Sequence, residues 1–314
     1  MKLVTSLLWA ATGLVALAAP LFLDRGTLND VWNLALGVIL ASAWNLLGGF
    51  AGQVSLGYSV FLGIGAYTTV LLALAGIGPF LTLPLGALIA AAFSIVIGLP
   101  AFRLRGPYFT IATIGVAEAV RVWASSVSFT GGSSGLRMPP ASFDFNLNYF
   151  AMVILAILTV ALAAWVRSSA FGRALNAIRQ DIDAAEALGI NSTRFKLAAH
   201  ALSAAVVALA GSLYAINFQY IAPGSVFDFR LSLTIVLMPI IGGVGTVAGP
   251  VLGALIFSTL QIKLLSIPAL RDSYLFIYGG LLILVILYEP KGLVGVGRRL
   301  AGLLPRAGKV SDAG

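Results

Sequence analysis

The apolar residues of this 314-residue chain fall in long runs, and no other feature constrains its fold more. Most runs are long enough to cross about 30 Å of hydrocarbon. In a bilayer the backbone must satisfy its own amides, which leaves helices and closed barrels. Barrel strands alternate residue by residue, and these runs do not. Only 10% of residues are charged, against about 25% in soluble domains. The fold class read from this is all-α: a polytopic helical membrane protein of about ten segments, with broken or re-entrant pieces. They lie at 3–23, 28–47, 55–74, 80–99, 107–127, 149–166, 197–220, 231–241, 249–267 and 274–288. The eighth is too short to span alone. The GGVGTVAGP run after it is either a tight cytoplasmic turn or an unwound break within one longer helix. Residues 1–297 read as one transmembrane domain, and 298–314 as a disordered cytoplasmic tail.

Cytoplasmic termini give the best charge asymmetry. Most of the 19 Lys and Arg residues then fall inside, from Lys2 through Arg103, Arg105, Arg167 and Lys196 to Lys309. The outer side keeps Arg25, Arg137, Arg230, Lys263 and Arg271, and Arg121 stays within a span. Excess cytoplasmic Lys and Arg is the usual rule, so the +8 formal charge calls for no nucleic-acid partner. The first segment exceeds the 7–15 residues of a signal core and is read as retained. The chain has no cysteine and one histidine, His200, which excludes cysteine chemistry and a multi-histidine metal site. No metal and no cofactor are expected.

One charge-dense stretch stands apart, residues 167–196. Phe171, Leu175, Ile178, Ile182 and Ala185 recur at steps of four and three, which puts them on one side of a helix. Arg173, Asn176, Arg179, Asp183 and Glu186 take the other side. Such a helix either lies on the membrane surface or offers a docking face. Within it, Asp183, Ala184 and Ala185 are followed after three residues by Gly189. This resembles the Glu-Ala-Ala, three residues, Gly coupling motif of ABC importer permeases, with Asp183 in place of glutamate. The Ile-x-Leu-Pro that usually follows is absent, since Ala199, His200, Ala201 and Leu202 stand there.

Four further stretches carry a more specific resemblance: NLLGGFAGQVSLGYSVFLGIGAYT from Asn45, GPYFTIATIGVAEAVR from Gly106, TGGSSGL from Thr130 and IGGVGTVAGPVLGA from Ile241. Together, in this order, they resemble the M-type permease subunit of branched-chain amino acid (leucine/isoleucine/valine) ABC importers. Relatives of that family also serve urea and short amides. The resemblance implies a translocation path for apolar amino acids in a bacterial inner (cytoplasmic) membrane. It also implies partners: ATPase subunits docking on 167–196, a related H-type permease, a periplasmic or extracellular solute-binding protein and membrane lipid. ATP would be bound and hydrolysed by the partner, not by this chain. Asp183, Ala184, Ala185, Gly189 and Arg179 become the candidate ATPase-coupling residues.

Residues 48–57 are too rich in glycine for a regular span. They read as a broken segment beside the path, or as a turn at the cytoplasmic edge. Gln53, Ser55 and Tyr58 are path candidates. Glu118 joins them as a polar wall, or else forms a structural ion pair with Arg121 three residues on. Gly245, Gly249 and Gly253 form a small-residue stripe for helix packing. A loose dinucleotide pattern at Gly243, Gly245 and Ala248 is rejected, because no strand precedes it. His200 reads as an interfacial or packing histidine at the start of the seventh segment. The loop at 128–148 faces outside and could meet the binding protein. An ion-coupled secondary transporter is the less favoured alternative, because it needs a relay of buried charges. A membrane-embedded enzyme would need clustered Asp, Glu, His or Ser, and none is visible.

Overall fold

The computed structural model describes residues 16–104, 106–139 and 144–266, together with Gly13 and scattered positions between 276 and 295. Most of the first and tenth apolar runs, Arg105 and the tail at 298–314 lie outside the described residues.

The chain is built of helices. They are α1 (Arg25–Leu47), α2 (Tyr58–Leu74), α3 (Leu83–Ala101), α4 (Pro107–Ser126), α5 (Phe145–Ser168), α6 (Ala170–Gln180), α7 (Ile182–Ala187), α8 (Ser192–Phe218), α9 (Pro223–Val226), α10 (Phe229–Gly242) and α11 (Ala248–Ser266). Among the described residues, five helical stretches are long and apolar enough to cross a membrane: Arg25–Leu47, Pro79–Ala101, Phe145–Ser168, Ser192–Phe218 and Pro223–Gly242. Tyr58–Leu74 and Ala248–Leu264 are apolar but shorter. The eighth apolar run is thus extended at its start, because the α9 turn at Pro223 leads into α10.

Local chemistry sets the helix starts. The carboxylate of Asp24 accepts from the amides of Gly26 and Thr27 ahead of α1. Asp144 accepts from Leu147 N ahead of α5, Asn191 from Arg194 N ahead of α8, and Asp228 from Arg230 N ahead of α10. Each oxygen satisfies an amide that has no partner in the first helical turn. The Asn191 cap starts α8 five residues before the apolar run at 197, so His200 lies well inside the helix rather than at its start.

α8 is the axle of the bundle. It packs on α3 and α2, and also on α1 and α5. Its buried side is made of small residues, Ser203, Ala204, Ala208, Gly211, Ser212 and Ala215. A Cβ on Gly65 would lie 1.9 Å from the Ala208 carbonyl oxygen, and one on Gly211 would lie 2.0 Å from that of Leu62. The two helices therefore touch backbone to backbone, which is how membrane helices gain dispersion contact without help from water. Trp32, Trp44, Tyr149 and Phe257 fill the wider gaps and are almost fully buried.

The run after the eighth segment resolves as a turn between two packed helices. A Cβ on Gly253 would sit 1.8 Å from Met238 O, and one on Gly242 would sit 1.8 Å from Gly249 O. α10 and α11 thus fold back on each other, and the alternative of one longer helix is excluded. Gly249 and Gly253 make that close approach, whereas Gly245 lies in the turn itself with φ +77°. The expected stripe of three is therefore two packing glycines and one turn glycine, because the helix starts only at Ala248.

The loop after α4 holds a feature that its Gly, Ser and Pro content does not announce. Leu136–Arg137 (β1) pairs antiparallel with Tyr220–Ile221 (β2) in the register Leu136↔Ile221, Arg137↔Tyr220. A Cβ on Gly135 would be 2.1 Å from Ile221 O, and Gly131, Gly132 and Gly135 all have positive φ. Only glycine fits that path. This ribbon closes one end of the bundle. The 167–196 stretch lies at the other.

Candidate functional site

Three of the quoted motifs meet at the end of the bundle opposite the ribbon. Gly48, Gly49 and Ala51 still donate back into the last turn of α1, to Trp44 O, Asn45 O and Leu47 O; the chain is then irregular until helix resumes at Tyr58. This backbone is largely enclosed, so each polar group needs a partner. Trp44 Nε1 donates to Ser55 O (2.9 Å), and Thr110 Oγ1 donates to Val54 O (2.8 Å). Leu56 N donates to Thr113 Oγ1 (3.0 Å), and Gln53 N donates to Leu47 O (3.4 Å). Asn45 bridges to the α10–α11 turn: its Nδ2 donates to Thr246 O (2.8 Å) and its Oδ1 accepts from Gly245 N (2.9 Å). Side chains from α1 and α4 therefore hold this irregular segment in place.

The break also climbs into the bundle. The Tyr58 hydroxyl lies 2.9 Å from Ser203 Oγ, which donates to Ala43 O. Ser203 stands eleven residues beyond Ser192, a rise of roughly 16 Å along α8. Ser59 N donates to Ser232 Oγ (3.0 Å) on α10. Ser55 is 1% exposed and Tyr58 0%, so both are closed inside this chain and neither reaches its surface. Gln53 is half-buried and borders a cavity of about 190 Å³ with Arg103, Ile182, Glu186 and Lys196. His200 is enclosed by Tyr58, Phe61 and Phe102, with ring centroids 5.1–6.2 Å away. Of the two placements expected for it, interfacial or packing, the structure shows packing: it is a core residue at 2% exposure.

The polar stretch is two helices, not one. The apolar spacing runs unbroken through Ile178 and Ile182, but Asp181 is extended (φ −156°, ψ 118°) and its carboxylate caps α7 by accepting from Ala184 N (3.0 Å). The chain bends there. Leu175, Ile178 and Ala185 face inward, and Phe171 stacks on Phe195. Asp183, Ala184, Glu186 and Ala187 face outward. Ala185 is 2% exposed, so of the coupling pair only Ala184 is on the surface. Gly189 has φ +85° with open space around it, while Ile190 N returns to Ala185 O (3.1 Å). That is a glycine helix terminator. Sequence reasoning missed Leu188, which is 81% exposed beside it. The signal was a leucine out of step with the apolar period.

Arg179 does not simply face outward with its neighbours. Its Nη1 donates to Gly49 O (2.5 Å). Glu118 and Arg121 form the expected ion pair, with Arg121 Nε donating to Glu118 Oε2 (2.9 Å). The pair is half-exposed on an outward face of α4. Ile111, Gly115 and Val122 share that face.

Residues 31–286 match the family described as branched-chain amino acid transport system, permease component. The chain belongs to this family. It is 31% identical to the high-affinity branched-chain amino acid transport system permease protein LivM of Salmonella typhimurium, over 90% of this chain and 73% of that one. It is also 31% identical to LivM of Escherichia coli, over 95% of this chain and 77% of that one. A second branch, LivH of Salmonella typhimurium, is 27% identical over 82% of this chain and 90% of its own. No solved structure matches the chain. Family membership and the apolar helices make this a multi-pass membrane protein and a transport permease component.

Proposed function

We propose that the chain is the M-type permease subunit of an ATP-driven importer of branched-chain amino acids in a bacterial inner membrane. The observation that carries this reading is the α6–α7 unit: a bent amphipathic pair, sealed inward, presenting small residues, acids and one bare leucine outward. In a chain of this family, such a surface fits a separate ATPase subunit. Asp183, Ala184 and Leu188 are the contact, with Gly189 turning the chain away from it. Ala185 acts from behind, by seating α7 on the bundle.

The charge distribution supports cytoplasmic exposure of this end. Arg103, Arg167, Arg173, Arg194 and Lys196 gather there, while Arg25 and Arg137 lie near the ribbon. That asymmetry follows the positive-inside rule. Ten crossings with both termini inside remain the preferred topology. The ribbon end then faces the solute-binding protein.

The outward faces of the helices differ. α3 presents Leu88, Ile95 and Val96, and α5 presents Ile154 and Leu158. Such faces suit lipid. The α4 face carries Glu118 and Arg121, and a charged pair at depth avoids hydrocarbon. That face is assigned to the translocation path, opposite a related H-type permease. Gln53 is the other path candidate that reaches the surface, while Ser55 and Tyr58 support the break behind it. Substrate is delivered from outside, and nucleotide-driven closure of the ATPases, transmitted through α6–α7, opens and closes the path.

Copurification of the tagged chain with its neighbours, followed by leucine uptake in cells, tests the reading. Uptake that stops on ATP depletion but survives collapse of ion gradients supports it. Uptake that follows the ion gradient instead overturns it.

A further inference from the structure

We infer that Arg179 is a clasp that joins the ATPase-facing helix α6 to both glycine breaks of the bundle, so that the three move as one body. The inference rests on the docking reading of α6–α7 and adds the element that transmits its motion. The Gly49 carbonyl lies just past the last turn of α1, where helix carbonyls have no intrahelical partner and carry partial negative charge. Arg179, in the last turn of α6, donates its Nη1 to that oxygen.

The glycines on either side leave space for this one side chain. A Cβ on Gly52 would lie 2.9 Å from Arg179 Cγ, and a Cβ on Gly245 would lie 2.1 Å from Arg179 Nη1. Both glycines have positive φ, +73° and +77°. Gly52 belongs to the α1–α2 break, and Gly245 to the α10–α11 turn. The two are already tied to each other by Asn45, through Gly245 N and Thr246 O. The arginine thus binds a unit formed of both breaks. The planar guanidinium suits this place, because it sets a fixed donor on the Gly49 carbonyl while lying beside Gly245, where a lysine offers one compact charge.

Arg179 acts here as a positioning residue: it touches neither nucleotide nor substrate. A push on α6 reaches the ends of α1 and α10 together through it. Without it, the ATPase still docks and hydrolyses, but its motion no longer reaches the path.

The test uses the assembled transporter in nanodiscs and proteoliposomes, with Arg179→Ala and Arg179→Lys. The expected result is an ATPase that stays bound and hydrolyses near the wild-type rate. Leucine uptake per ATP falls roughly tenfold in Arg179→Ala, the factor a lost charge-assisted hydrogen bond carries, and less in Arg179→Lys. An unchanged uptake per ATP overturns the inference. Loss of the ATPase from the complex also overturns it, because the arginine then serves the partner and not Gly49.

A second readout stands if Arg179→Ala fails to fold. The chain has no cysteine, so Asn176→Cys and Val247→Cys place two unique spin labels on α6 and on the α10–α11 turn. The clasp predicts one narrow distance in the wild-type background, the same with and without nucleotide, and a broadened one in Arg179→Lys. A wild-type distance that shifts with nucleotide overturns it. If no ATPase associates with the wild-type chain, the docking reading fails separately, and the label distances in the chain alone still decide the clasp.

Discussion

Leu188 offers a way to separate docking from folding. Its side chain is 81% exposed at the turn after α7, so it contributes little to the stability of the chain alone. If an ATPase groove takes it up, docking removes nearly the whole side chain from water, worth about 1.5–3 kcal/mol. Leu188→Ser should therefore weaken ATPase binding roughly 10- to 150-fold. The thermal unfolding of the isolated chain should stay where it was. The assay is a titration of purified ATPase onto the permease in nanodiscs, read by a label on the ATPase, with an unfolding curve of each variant alongside. Ala185→Leu is the informative contrast, since Ala185 is buried behind α7. It should lower the unfolding temperature as well as the affinity. Equal affinity for the Leu188→Ser and wild-type chains would refute the reasoning, because no exposed apolar contact would then be buried on docking.

Two other substitutions probe the packing and the path. Gly211→Val brings a Cβ within 2.0 Å of Leu62 O, and carbon–oxygen contacts of about 3.3 Å are needed; α2 and α8 must part, at a cost of about 1–3 kcal/mol, visible as a lower unfolding temperature in detergent. Glu118→Gln removes one charge of a half-exposed pair. It should leave the unfolding temperature unchanged while lowering the rate of leucine uptake. Loss of folding with normal uptake per folded transporter would make the pair structural.

What the sequence reveals here follows the range of each interaction. The cores of α1, α5 and α8 are legible because apolar composition alone marks them. Their starts are less so: Asn191 pulls α8 back to Ser192 by a cap that hydropathy does not weigh. The bend at Asp181 hides behind an apolar period that runs straight through it, although an aspartate ahead of a short helix is a capping signal. The pairing of Leu136 with Ile221 joins residues 85 apart through two residues each, and no local pattern announces so short a strand. The inward reach of Arg179 depends wholly on where Gly49 and Gly245 come to lie. The polar period puts Arg179 among the outward residues. Ser55 and Tyr58 illustrate the reverse. Their polarity suggests a path, while the hydrogen bonds of Trp44 and Ser203 show backbone and side-chain groups satisfied inside the chain.

The central claim is that this permease moves solute only when a separate ATPase drives it through α6–α7. Proteoliposomes decide the matter when they hold the purified chain, its partner permease and the binding protein, with or without the ATPase. The account predicts leucine accumulation only with the ATPase and ATP together, and none when the ATPase is omitted. Accumulation of leucine at the full rate in vesicles that contain no nucleotide hydrolase would contradict it.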